Sequence, residues 1–344
     1  MHPTSTRPPG GPTQAQTGYR RHWGFLALLA ALACLAGFAL VELKPAPSGP
    51  ATPTLGTVTP DAGASTPGAG TADPQEERLA AVSWPADGTS AADISGTGVL
   101  AGPGATRPVP IASVAKLMTA YVILHDHPLP AGGSGPDITV QPSEAAAYPS
   151  QARDGDSLVP VAAGETLTER QALEALLLPS ADNMAWILAR WDAGGQAAFV
   201  ARMNDTADRL GMTGTSYTDP SGLDSSTTST AADQVRLGMA AMQVPALAAI
   251  TAMSTADVPV AGVVRNYNTL LGQDGIVGLK TGSTQAAGGC VLVAAWHRQG
   301  GHDTLIVAAT FGQPGTAQTI LPNALQAGHT LVLALDRALG HTKR

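Results

Sequence analysis

Ile276-Val277-Gly278-Leu279-Lys280-Thr281-Gly282-Ser283 is an apolar, β-branched run that closes on Lys-Thr-Gly and opens into a glycine-containing turn. Two similar runs follow at residues 290–296 and 304–311, each bounded by glycine, so the three are expected to be neighbouring strands. Upstream, residues 167–178, 183–191, 196–210 and 230–242 carry apolar side chains at helical spacing, separated by Pro, Gly or Asp, and residues 113–124 form another apolar helical segment. Residues 79–84 and 97–100 read as early strands and 321–339 as a final helix. Strands at both ends of the chain around a helical middle predict an α+β fold whose sheet brings the two ends together.

The region before residue 76 has a different composition. Arg20 and Arg21 precede about 19 residues, from Trp23 to Val41, without a charge, enough to cross the hydrocarbon layer as a helix. The flanking arginines place residues 1–22 in the cytoplasm, 23–43 in the membrane as a single anchor, and everything beyond on the cell-wall side. A cleaved signal peptide shares this pattern, but Leu40-Val41-Glu42 is a poor small-residue cleavage site. Residues 44–75 are largely Pro, Ala, Gly, Thr and Ser, the composition of a disordered linker, and residues 76–344 make up the globular domain.

The net charge of -7 and the absence of a Lys/Arg cluster in the globular part exclude nucleic acid as a partner. Cys34 lies in the apolar stretch and Cys290 in a strand, so a disulfide between them is not expected and stability must come from packing. His125 and His127 flank Asp126 without further ligands nearby and read as a solvated loop. Trp186 and Trp191 read as core residues of one helix, and Cys290 as a buried strand residue without an activating partner.

Three short motifs carry chemistry. In Ile111-Ala112-Ser113-Val114-Ala115-Lys116 a spacing of three puts the hydroxyl and the amine on one helix face, where the lysine can take the serine proton. Lys280-Thr281-Gly282 at a strand end lets an ammonium and a hydroxyl meet a carboxylate, while the glycine permits close approach. Lysine occurs only at positions 44, 116, 280 and 343, which makes chance placement of both motifs improbable. Between them lies Ser180-Ala181-Asp182-Asn183, where Ser180 either relays a proton from Lys116 or caps the following helix.

The ordered set Ser113-x-x-Lys116, Ser180-Ala181-Asp182-Asn183 and Lys280-Thr281-Gly282 resembles that of the D-alanyl-D-alanine carboxypeptidases, serine DD-peptidases of the penicillin-binding protein and β-lactamase superfamily, in their actinobacterial style. Residues 218–223, Thr-Asp-Pro-Ser-Gly-Leu, also resemble a family segment, as does the stretch around Asn266 and Asn268. The resemblance implies a three-layer domain in which helices flank an antiparallel sheet. It implies Ser113 as nucleophile, Lys116 as its base and Ser180 as proton relay, with the backbone N–H groups of Ser113 and Ser283 holding the oxyanion. Asp182, Asn183, Lys280, Thr281, Gly282 and Ser283 would line the substrate groove, and no metal or other cofactor is implied. The expected partners are peptidoglycan stem peptides ending in D-Ala-D-Ala, and β-lactams. A catalytically weak cell-wall-binding or β-lactam-sensing protein is the competing reading, against which residues 1–22 offer little room for a signalling domain. The family usually has Asn where Asp182 stands. A carboxylate only accepts hydrogen bonds and would favour a charged Lys116, moving the pH optimum upward, unless a local shift brings Asn183 to the site instead.

Overall fold

The computed structural model describes residues 74–299 and 301–340. The expected cytoplasmic tail and membrane anchor, and the linker up to residue 73, lie outside the described residues; among the described residues no helix is long and apolar enough to cross a membrane.

The described chain opens with α1 (Pro74–Ala80), the hairpin β1 (Thr89–Ile94) and β2 (Gly98–Ala101), and the short β3 (Val109–Pro110). A 3-10 turn at Ala112–Ala115 runs directly into α2 (Lys116–Asp126). The middle contains β4 (Asp137–Thr139), α3 (Pro142–Asp154), β5 (Thr166–Thr168), α4 (Glu169–Leu177), α5 (Asp182–Ala193), α6 (Gln196–Arg209), β6 (Thr228–Ser229), α7 (Ala231–Ala241) and α8 (Pro245–Thr251). The hairpin β7 (Thr255–Val258) and β8 (Gly262–Arg265) leads to β9 (Ile276–Thr284), β10 (Gly288–Gln299), β11 (His302–Gln313) and α9 (Ile320–Ala338).

Five strands form one antiparallel sheet in the order β2-β1-β11-β10-β9, so the first strands pair with the last, Ser90 opposite Thr310. Side chains alternate between its faces with the period of two that a strand requires. Val291, Val293, Ile306 and Ala308 pack under α9 with Leu331, Val332 and Leu335. Leu292, Ala294, Val307 and Phe311 face the larger helical layer. Gly238 lets α7 approach this face closely, because a Cβ there would lie 2.6 Å from Val307 Cγ1. At the centre of the helical layer α2 is buried from Lys116 to Leu124 except at Tyr121, as befits a helix enclosed on all sides.

The structure corrects two expectations and refines a third. Residues 79–84 are not a strand: Glu76 and Glu77 in the first turn and Arg78 in the last favour α1, and the edge of the sheet begins at β1. Pro74 and Gln75, read as linker, open that helix. The segment 113–124 splits, with Ser113 in the 3-10 turn and Lys116 at the start of α2.

Candidate active site

The 3-10 turn places Ser113 beside Lys116 of α2 and against Gly282 of β9. Ala112, just before it, has φ 47°, a left-handed conformation that a residue with a Cβ holds only when its surroundings fix it. Those surroundings include Gly222, with φ 78°, where an added Cβ would collide with the Ala112 carbonyl oxygen. Gly282 of β9 supports the other side, since a Cβ there would stand 2.8 Å from the Ser113 nitrogen and 3.0 Å from that of Val114. The turn carrying Ser113 is thus gripped between two glycines from distant parts of the chain.

Lys116 is fully buried, which rules out a solvated lysine beside a capping serine. Its Nζ lies 2.8 Å from Ser113 Oγ, 2.6 Å from Asp182 Oδ1 and 2.9 Å from the Ser221 carbonyl oxygen. A carboxylate and a carbonyl can only accept, so a neutral amine would spend both its N–H groups on them. Its lone pair would then be left for the Ser113 hydroxyl.

Ser180 has φ 63°, again left-handed, and precedes α5 without capping it; the N-cap is Ala181, which makes no side-chain cap bond. Ser180 Oγ instead accepts from Lys280 Nζ at 2.9 Å, and Lys280 also donates to the Thr281 carbonyl oxygen at 2.9 Å. The structure therefore joins Ser180 to Lys280, not to Lys116. Burial, and then the neighbouring Lys116 charge, push the Lys280 ammonium well below the usual lysine range, with Asp182 opposing. Thr281 is buried beside it in β9, and Ser283 is exposed at the strand end opposite Gly289.

Asp182 is the residue of the second motif that reaches Lys116. Its Oδ2 accepts from the Ser157 N–H at 3.0 Å, and its own N–H donates to the Ser157 carbonyl oxygen at 2.6 Å. Asn183 turns away from the lysine: its amide pairs with the backbone of Val159, donating at 2.8 Å and accepting at 3.3 Å. A shift placing Asn183 beside Lys116 is not what the chain adopts. Ser157 and Ser221 were not legible as site residues because both act through backbone atoms, which leave no mark on residue type. The turn carrying Ser221 has a signal, Asp219-Pro220-Ser221-Gly222, in which Asp219 Oδ2 accepts from the N–H groups of Ser221 and Leu223 and from Ser221 Oγ.

Other side chains fall outside this cluster. Cys290 is buried in β10, and burial pushes its thiol up to about 12. His127 pairs with Asp192 at 3.0 Å and lies against Trp191, and His125 pairs with Asp126 at 3.1 Å. Trp191 packs on the core as expected, whereas Trp186 lines a surface groove and joins neither apolar cluster. Its position on α5 turns it toward α3, a helix the sequence pattern did not reveal.

The profile of the D-alanyl-D-alanine carboxypeptidase family, which is a family of serine peptidases, matches residues 78–311, and the chain belongs to that family. It is 36% identical over 235 residues to the D-alanyl-D-alanine carboxypeptidase DacB2 of Mycobacterium tuberculosis, covering 66% of this chain and 75% of that one. It is 36% identical over 194 residues to a D-alanyl-D-alanine endopeptidase of Pseudomonas aeruginosa, covering 54% of this chain but only 59% of that protein's length. The fold matches that of the Streptomyces K15 DD-transpeptidase with a TM-score of 0.63 at 24% identity, over 75% of this chain and 100% of the other.

Proposed function

We propose that the chain is a serine-type D-Ala-D-Ala carboxypeptidase that removes the terminal D-alanine from peptidoglycan stem pentapeptides. The observation that carries this reading is the buried Lys116 amine, 2.8 Å from Ser113 Oγ and held there by two acceptors, Asp182 and the Ser221 carbonyl. Lys116 takes the hydroxyl proton as Ser113 Oγ bonds to the carbonyl carbon. The C–N bond then breaks, D-alanine departs with a proton passed through Ser180 from Lys280, and water hydrolyses the resulting ester. The backbone N–H groups of Ser113 and Ser283 hold the oxyanion, and Lys280 with Thr281 receives the substrate carboxylate. A β-lactam acylates the same serine. The domain acts on the cell-wall side of the membrane, tethered by the helix at residues 23–43.

The test is acylation by a fluorescent penicillin, together with D-alanine release from a pentapeptide. Wild type should do both and Ser113→Ala neither. Labelling without release would leave a β-lactam-binding protein in place of a peptidase, and failure to label would end the proposal. A cross-linked muropeptide in the same assay separates carboxypeptidase from endopeptidase action. Carbonate extraction of membranes carrying the full chain tests the anchor, which should keep the protein in the pellet.

A further inference from the structure

Four large apolar side chains stand exposed among the described residues, and three of them, Val260, Val263 and Tyr267, belong to the hairpin of β7 and β8 and the residues just after it. Scattered singly they would need no account, but grouped they do. From β8 onward the residues alternate: Val264 and Asn268 are buried, while Val263, Arg265 and Tyr267 are exposed in a row. Asp257 of β7 stands opposite Val263, and Thr255 opposite Arg265, both exposed on the same face.

Tyr267 has a rigid mount. On one side the Asn266 amide donates to the Thr251 and Met253 carbonyl oxygens at 3.3 and 2.9 Å. Asn266 Oδ1 accepts from the Asn268 N–H at 2.9 Å, and Asn268 Oδ1 accepts from the Leu270 N–H at 3.1 Å. An exposed aromatic residue on a backbone fixed from both sides loses little freedom on meeting a ligand.

The row begins beside the site. The Tyr267 N–H donates to the carbonyl oxygen of Leu178 at 3.2 Å, and Leu178 is two residues before Ser180, so Tyr267 stands within roughly 10 Å of that serine. The departing amine takes its proton through Ser180 in the reaction proposed above, so the row starts on the leaving-group side of the scissile bond. From Tyr267 to Val263 it runs roughly 13 Å, at about 3.3 Å per residue. D-alanine is a single residue whose carboxylate goes to Lys280 and Thr281, and it covers little of that length. A peptide as leaving group covers it. Arg265 is in no ion pair among the described residues and offers its guanidinium to a carboxylate, whereas Asp257 lies at the far end beside Val263.

We infer that Tyr267 and the outward face of β8 form a subsite for the second stem peptide of a peptidoglycan cross-link, with Tyr267 against its apolar atoms and Arg265 on one of its carboxylates. This rests on the reaction proposed above and extends it from D-alanine to a peptidyl leaving group. Ser113 Oγ bonds to the D-alanyl carbonyl carbon, and the C–N bond to the side-chain amine of the second stem breaks. That amine takes a proton through Ser180, and water hydrolyses the ester to free the carboxylate of the first stem.

The experiment gives the full chain a muropeptide dimer, joined from D-alanine to the side-chain amine of a second stem, and in parallel the free stem pentapeptide. The ratio of kcat/KM, dimer over pentapeptide, should exceed one in wild type. It should fall by about tenfold in Tyr267→Ala and in Arg265→Ala, each having lost one contact to the second stem. A general loss of structure lowers both rates and leaves the ratio alone, and Arg265→Ala serves should Tyr267→Ala not fold. Binding of the same two ligands to Ser113→Ala reads the subsite without turnover, and the dimer should bind about tenfold tighter. A wild type that fails to acylate penicillin sinks the reaction and leaves that binding measurement intact, so the two proposals fail separately. Equal affinities for the two ligands, or a ratio that both variants leave unchanged, overturns the inference.

Discussion

Asp182 holds Lys116 with one carboxylate oxygen at 2.6 Å and the Ser157 amide with the other at 3.0 Å, in a site where Lys116 and Asp182 are 0% and 3% exposed. Both partners are donors, so a carboxylate satisfies them and an amide, with one donor end, does not. Asp182→Asn is therefore expected to lose about 1–3 kcal/mol of stability by leaving a buried donor facing an –NH₂ group. Denaturant melts of the two proteins measure this, and equal midpoints refute it.

Lys280 places a second buried amine beside the first. Its proton affinity is depressed in the folded protein, so below the unfolded lysine range the unfolded chain binds a proton more readily and the group costs stability. The cost shrinks as pH rises toward that range. Lys280→Met should abolish acylation yet raise the melting temperature by about 2–4 °C per kcal/mol recovered, more at neutral than at alkaline pH. Calorimetry at two pH values decides it.

Glu169, at the start of α4, is a buried carboxyl with Oε1 unpartnered among the described residues, and burial raises it to about 7. Between the ordinary glutamate range and about pH 7 the folded protein retains a proton that the unfolded chain releases. Stability is lost as pH rises through that window. Glu169→Gln should be the more stable protein at about pH 8, by on the order of 3 kcal/mol, and equal to wild type in acid. Denaturant melts along a pH series would show the two curves converging as pH falls.

Gly282 tests the grip on the turn carrying Ser113. A methyl group there would stand 2.8 Å from the Ser113 nitrogen, so β9 or the 3-10 turn must move. Gly282→Ala should slow penicillin acylation by about 100-fold, the usual scale for a displacement of an ångström at a reacting group. Unchanged labelling would mean the turn can yield without harm.

The sequence pattern exposed what depends on periodicity. Strands β9 to β11 and helices α4 to α7 and α9 carry apolar side chains at regular spacing and stand close to where that spacing puts them. Strand β1 escaped because Ala91 and Ala92 are small: the strand is buried between two neighbours, where bulk would not fit, and so lacks the β-branched signature. Helix α3 escaped because none of its residues is buried and Pro149 interrupts it. In the site, Ser180 was expected to relay a proton from Lys116 but meets Lys280 instead, while the pairing of Ser113 with Lys116 was marked by the spacing of the motif. The choice between Asp182 and Asn183 was not, since it depends on which way a helix start faces and on the backbone of Ser157 and Val159.

The pairing of Ser90 with Thr310 has a consequence for how such a molecule comes into being. Synthesis delivers Ser113 and Lys116 long before β9, and β9 is fixed in the sheet only through β10 and β11, which close onto β1. A growing chain therefore carries Ser113 through most of translation without the strand that flanks it. The turn at Ser113 gains its Gly282 support only once the last strands have closed the sheet.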